Sequence, residues 1–235
     1  MIELGVKESV ANWKATLIRS FQMAIVGFII GYFWFITTGD PKYMVYILMA
    51  ELIAFNRPRV AKEFSQMIRT AKIDVWMTRP RSLFYKFFGI FFGRSLVGLL
   101  ISSIIVIPIA FLYYPPHLIY LPLFFMAFLV NYSISAIIGY LSFWVGDSRP
   151  YEFIVDKINF FFSGTLIPFE FLPTWLATIT KSLPFQLVGY FPAKAMVGDF
   201  MPLLFLSGIL WTTGLVATAL IIEKIGVKKY EVVGG

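Results

Sequence analysis

The chain has no cysteine, a single histidine and little charge. Of its 235 residues only 14% are Asp, Glu, Lys or Arg, against about 25% in a soluble domain. Without cysteine there is no disulfide framework, no thiol nucleophile and no thiolate metal site. His117 sits alone in the segment YYPPHL and reads as a surface residue rather than a ligand. No intramembrane histidine is left to activate a serine, so a serine-type membrane protease is excluded. The sequence also has no G-x-x-x-x-G-K-[ST], no G-x-G-x-x-G and no H-E-x-x-H, so it offers no nucleotide or zinc motif. Its acidic residues are scattered rather than clustered as metal-dependent transfer enzymes require. No catalytic residue and no metal site is expected.

Apolar residues are abundant. Hydrophobic residues make up 59% of the chain, with 26 Phe, 12 Tyr and 6 Trp, and the mean hydropathy is +0.79. A soluble core of this length could not hide that surface, so the composition implies an integral membrane protein. A helix crossing hydrocarbon needs about 20 mostly apolar residues. Six segments qualify or come close: residues 17–36, 43–55, about 84–113, 118–145, about 153–167 and 201–222. The second is short and reaches span length only with its flanks. Runs such as FFGRSLVGLLISSIIVIPIAFL do not alternate, which rules against a β-barrel. Residues 1–21 carry Glu3 and Glu8 and lead straight into a span, so they do not read as a cleaved signal peptide.

The net charge of +7 would suggest nucleic acid in a soluble protein. Here its distribution explains it. Sixteen Lys and Arg fall in the N-terminal segment, the loop between spans 2 and 3, the region between spans 4 and 5, and the tail. The other side holds only Lys42, Lys181 and Lys194, while Arg94 lies within span 3. The positive-inside rule then places both termini in the cytoplasm. The excess charge meets anionic lipid headgroups, and no nucleic acid is required.

Three segments are neither spans nor plain loops. In residues 1–16, Val6, Val10 and Trp13, followed by Leu17, recur at helical spacing among polar residues, which predicts an amphipathic interfacial helix. In residues 57–83, Val60, Phe64, Met67, Ile68 and Ala71 form an apolar stripe while Lys62, Glu63, Gln66, Arg69 and Lys72 face elsewhere. An orientation signal would explain those charges but not the stripe; a helix that docks a soluble partner explains both. Residues 163–192 remain apolar but hold Gly164, Pro168, Pro173, Pro184, Gly189 and Pro192. No straight helix runs through them, and they predict a re-entrant or outer-interface hairpin, with a short helix over residues 174–183.

Buried polar residues mark a candidate path. An ionised group in the bilayer costs roughly 2.5–3.5 kcal/mol on insertion scales, so Arg94 in span 3 and Glu51 in span 2 need partners or water. Arg94 either pairs with Glu51 near the inner mouth or snorkels to inner headgroups. Asn131 and Gln22 either line a polar path or bind helices together. Gly27-x-x-x-Gly31 and Gly89-x-x-x-Gly93 permit close helix approach.

Two stretches carry a family resemblance. VAKEFSQMIRTAKIDVWMTRPRSL, residues 60–83, contains Ile68-Arg69, Ile73-Asp74 and Arg79-Pro80. It resembles the I-R-x-G-x-[IL]-[DE]-x-x-L-x-R-P pattern of ABC type-2 exporter permeases, with Ala71 at the usual Gly and Met77 at the usual Leu. Residues 141–198 include Phe143, Trp144, Asp147, Ser163, Gly164, Ile167, Pro168, Pro173, Trp175, Leu176 and Leu183-Pro184-Phe185. They are similar to the subfamily pattern F-W-x-x-D…S-G-x-x-I-P…P-x-W-L…L-P-F. The resemblance implies that Phe64, Met67, Ile68, Arg69, Asp74 and Arg79 belong to a coupling element that docks on a separate ATPase. It implies a second, smaller contact around Asp147 and Arg149. It further implies that the hairpin bearing Gly164, Pro168 and Glu170 closes the outer side of the path. The E-A-A…G loop of importer-class permeases is absent.

These readings converge on an all-α, six-span permease domain over residues 1–235, in the cell (plasma) membrane with both termini cytoplasmic. It is expected to move a hydrophobic or amphipathic solute outward. It would bind no cofactor itself, with ATP and Mg on the partner ATPase, and would work with a second permease as a homodimer or heterodimer. Two alternatives stand beside this reading: the membrane subunit of an ATP-coupled importer, and a passive structural or channel subunit.

Overall fold

The computed structural model describes residues 1–78 and 82–234, and the fold is helical throughout with no strand among the described residues. The chain opens with α1 (Ile2–Ala11) and α2 (Trp13–Thr38), broken at Asn12. Then come α3 (Pro41–Phe55), α4 (Val60–Arg69) and the single turn α5 (Asp74–Met77). The long α6 (Leu83–Tyr113) is followed by α7 (Leu123–Tyr140), α8 (Ser142–Val145) and α9 (Arg149–Phe162). Two short helices, α10 (Thr174–Ser182) and α11 (Tyr190–Met196), precede α12 (Pro202–Gly234).

Four stretches are long and apolar enough to cross a membrane: Trp13–Thr38, Leu83–Tyr113, Leu118–Val145 and Pro202–Tyr230. The other two expected spans form shorter helices. α3 has 15 residues and α9 has 14, so each is about 21–23 Å long at 1.5 Å per residue, short of a ~30 Å hydrocarbon layer. For α3 the reason is position. Its residues 44–53 are all buried, and a helix that is apolar all round belongs in a core. Protein surrounds it, so its ends need not match a lipid thickness. α9 stops at Phe162 because Gly164 turns the chain at φ +79; the expected span had run to residue 167.

The turn into α3 follows from four residues. Gly39 ends α2 in the left-handed conformation at φ 71, which suits glycine. Asp40 then caps α3, accepting a hydrogen bond from the Lys42 amide at 2.9 Å, and Pro41 takes the first helical position. The two glycine pairs do bring helices together. A Cβ at Gly31 would sit 2.8 Å from the Met44 sulfur on α3. One at Gly93 would sit 2.4 Å from the Ile2 carbonyl oxygen on α1. So α1 lies directly against the first half of α6.

α6 begins with its orphan amides capped from far away. The Glu223 carboxylate on α12 accepts from Leu83 N at 2.7 Å, Phe84 N at 2.9 Å and Ser82 Oγ at 2.8 Å. It is 6% exposed. An anion at a helix N-terminus satisfies both the free N–H groups and the dipole.

The segment between α9 and α12 folds over one end of α3. Tyr46 donates to the Gly164 carbonyl at 2.6 Å, and Trp34 Nε1 donates to the Leu166 carbonyl at 3.0 Å. Trp34 also stacks on Phe171 with ring centroids 4.5 Å apart. The segment is a chain of short helical turns, because its prolines and glycines interrupt it every few residues.

Candidate functional site

Two features stand out: an outward-facing face built on α4, and a cleft beside it. α4 has a sharply two-sided sequence, and the structure turns its apolar side inward. Phe64 is 1% exposed. Its ring meets Phe87, Tyr140 and Phe143 edge-on at centroid distances of 5.9, 5.0 and 5.3 Å. Met67 and Ile68 are half-buried against the same core. Of the residues named for the docking helix, Phe64 therefore offers no surface to a partner. It seats α4 instead. Gln66, Arg69 and Thr70 are exposed, and Asp74 lies exposed at the start of α5. Arg79 lies outside the described residues.

α4 is also held by polar contacts. Ser65, Ser142 and Ser148 bring their hydroxyls into a triangle with every side 2.8 Å, and all three are buried. The Ser148 amide adds a bond to Ser65 Oγ at 3.1 Å. At the start of α4 the amides of Val60 and Ala61 donate to Ser135 Oγ, which donates on to Glu152 at 2.9 Å. These contacts join α4 to the α8–α9 turn, where Asp147 and Arg149 form an exposed ion pair. Arg69 reaches Asp147 at 3.6 Å. The Arg149 side chain, its amide and then Arg69 hold the Asp147 carboxyl down at about 2, so it is ionised at any physiological pH. Lys62, Gln66, Arg69, Thr70 and Arg149 surround a shallow depression of about 400 Å³. The face is cationic and continuous across α4 and the turn.

The cleft is larger, about 1560 Å³. Its walls come from α1, α2, the end of α3, α4, α6 and α9. It runs from Lys62 and Gln66 to Ser163 and Thr165 beyond α9. Glu51 and Arg94 both line it, but they do not pair. Arg94 instead donates to Glu8 on α1 at 2.7 Å and to Glu63 on α4, and stacks over Phe91 at 5.1 Å. The expectation of a Glu51–Arg94 pair is corrected: Glu8 and Glu63 claim the guanidinium. Among the described residues no hydrogen bond or ion pair reaches the Glu51 carboxylate. Asn131 lies behind the wall, accepting from Asn159 Nδ2 at 2.9 Å. Gly164, Pro168 and Glu170 do not line the cleft either. Gly164 and Pro168 are buried in the cap over α3.

Glu170 belongs to a separate cluster. Lys194 on α11, 9% exposed in its side chain, reaches Glu170 at 3.0 Å and Asp199 at 3.1 Å. Tyr190 donates to Glu170 at 2.9 Å. Burial alone would lower the Lys194 pKa, but the two carboxylates outweigh it and hold the ammonium above its ordinary value.

Several of these residues carry no sequence signal. Ser65, Ser142 and Ser148 are 77 and 83 positions apart across the triangle, and a lone serine has no periodicity. Glu223 follows directly on an apolar run, and its position there was the one visible hint.

A family model described as ABC-2 family transporter protein matches residues 13–234. No curated protein and no solved structure matches the chain.

Proposed function

Because the chain belongs to the ABC-2 family of transporter proteins and so is a multi-pass membrane permease of an ABC transporter, we propose that it works as an exporter subunit. In this reading six helices traverse the membrane, α3 and α9 among them, and both termini are cytoplasmic. Two such permeases, alike or different, assemble with two ATPase subunits. ATP and Mg are bound and consumed there, and this chain drives nothing by itself. The solute is hydrophobic or amphipathic and travels through the cleft.

The observation that carries the proposal is the α4 face. A surface on which Lys62, Arg69 and Arg149 outnumber Asp147, with Gln66 and Thr70 between them, is fastened from behind by buried hydroxyls and rings. Such a surface can receive force without deforming, which a partner-driven coupling element requires. ATP-driven closure of the partner then displaces α4 and the α8–α9 turn as one body.

The test is co-purification from native membranes. The wild-type chain should bring down an ATPase, and Arg69→Glu with Arg149→Glu should release it while the permease stays folded. A chain that brings down no ATPase, or binds it equally after both charge reversals, defeats the proposal. Outward movement is read separately, as ATP-dependent uptake of solute into the lumen of inverted vesicles.

A further inference from the structure

We propose that Glu51 is the recognition carboxylate for a lipophilic organic cation held in the cleft. The inference rests on reading the cleft as the solute path and adds the chemical class of the solute. Glu51 is about nine-tenths buried and lines a cavity of about 1560 Å³. Every other acidic residue on the cleft wall is already used: Glu8 and Glu63 both hold Arg94. No cation on the wall bonds Glu51 directly among the described residues. Arg57 lies within electrostatic reach of it but places its guanidinium on Asp156 at 3.3 Å, and Arg19 is exposed. Arg59, Lys62 and Lys72 are exposed at the mouth, where anionic headgroups meet them.

The wall of the cleft that Glu51 shares suits an apolar body with one positive charge. Met23, Val26, Phe91 and Phe160 supply apolar and aromatic wall, and ring faces attract cations. Asn159 stands on the same wall, with its side-chain oxygen buried and unpartnered among the described residues. A buried carboxylate with no directly bonded counter-charge is costly in a low-dielectric site, and Arg57, shared with Asp156, offsets only part of that cost. A bound cation removes that cost and an anion would add to it, so the cleft discriminates by charge sign rather than by shape alone.

The experiment uses the full chain in nanodiscs and a pair of near-isosteric probes of opposite sign, tetraphenylphosphonium and tetraphenylborate. Binding is measured by equilibrium dialysis with wild type, Glu51→Gln and Glu51→Asp. Wild type should hold tetraphenylphosphonium, Glu51→Gln should weaken it by about tenfold or more, and Glu51→Asp should retain it. Tetraphenylborate should be indifferent to all three. The proposal is overturned if Glu51→Gln binds the cation as well as wild type does. It is also overturned if the borate is the probe held and Glu51→Gln strengthens it. A change of oligomeric state in Glu51→Gln, with cation binding intact, would assign the missing counter-charge to a neighbouring subunit and overturn it too. The measurement needs no ATPase, so its failure is distinct from a failure of the transporter reading, which shows as absent co-purification.

Discussion

Phe64 separates two accounts of α4. If its apolar stripe were the docking surface, removing the ring would uncouple the protein and leave its stability alone. The structure requires the opposite. The ring is 1% exposed and has three edge-on aromatic neighbours at 5.0 to 5.9 Å. Truncating a buried Phe to Ala costs about 3–5 kcal/mol, transfer and cavity together, and each lost edge-to-face contact accounts for about 0.5–1.5 of that. We take about 3 kcal/mol for Phe64→Ala, since α4 lies at the margin of the core and can settle inward. For a chain of this length 1 kcal/mol moves the unfolding midpoint by about 2–4 °C, so the expected drop is about 6–12 °C in a thermal scan of the detergent-solubilised chain. Gln66→Ala, on the exposed side, should change stability by no more than about 0.5 kcal/mol. The same two variants are then assayed for ATPase binding. A Phe64→Ala chain with an unshifted midpoint and lost ATPase binding would refute the reasoning, because the ring would then be a contact and not a seat.

Two further outcomes follow from the geometry. Ala71 holds φ 53 in the turn after α4, a left-handed conformation that costs a non-glycine residue about 1–2 kcal/mol; Ala71→Gly should therefore stabilise by about 0.5 kcal/mol after the extra unfolded-state entropy of glycine, whereas Ala15→Gly on the exposed face of α2 should cost about 1 kcal/mol, and equal losses at both sites would count against the turn. Lys194→Met should cost about 2 kcal/mol, less than a fully buried pair because Asp199 and Glu170 are partly exposed. The Lys194 pKa is raised on folding, so its contribution is fully present below the unfolded value of about 10.5 and fades only as pH climbs through the raised one. The stability difference between wild type and Lys194→Met should thus stay flat from pH 6 to 9, and a difference that shrinks across that window contradicts the cluster.

The class of the molecule is legible in composition because lipid exposure must be covered by apolar side chains. The two-sided stretch at residues 60–69 and the short helix at 174–182 are legible for a related reason: helical period and proline punctuation are local properties. What periodicity cannot say is which way a stripe points when a chain has both lipid and its own core to bury it against. That is why Phe64 reads as surface and is found inside. Arg94 shows the same limit for charge. Its partners, Glu8 and Glu63, lie 86 and 31 residues away on elements whose mutual placement only the fold decides, while Glu51, the acidic residue within a neighbouring span, goes unpaired. The length of α3 fails as a span signal because a helix sheathed in protein is released from the thickness of the bilayer.

The joints around α4 differ in strength, and that difference says what moves. Toward α7, α8 and α9 the helix is bound by a buried hydroxyl triangle, a Ser135 cap and the Phe64 ring cluster. Phe87 near the start of α6 belongs to that ring cluster too, but toward α1 and the middle of α6 the helix is bound through Arg94, with Arg94, Glu63 and Glu8 respectively 30, 38 and 41% exposed. Ion pairs so open to water contribute about 0–1 kcal/mol each, and removing a buried ring costs several times that. On the proposed reading, a push on α4 therefore carries α7, α8 and α9 along, and the joint that yields is the Arg94 bridge. That bridge crosses the mouth of the cleft. Breaking it frees α4 from α1 and from the middle of α6 while the Phe64–Phe87 contact holds at the start of α6, so a weak, water-exposed contact sits where a change in access has to occur.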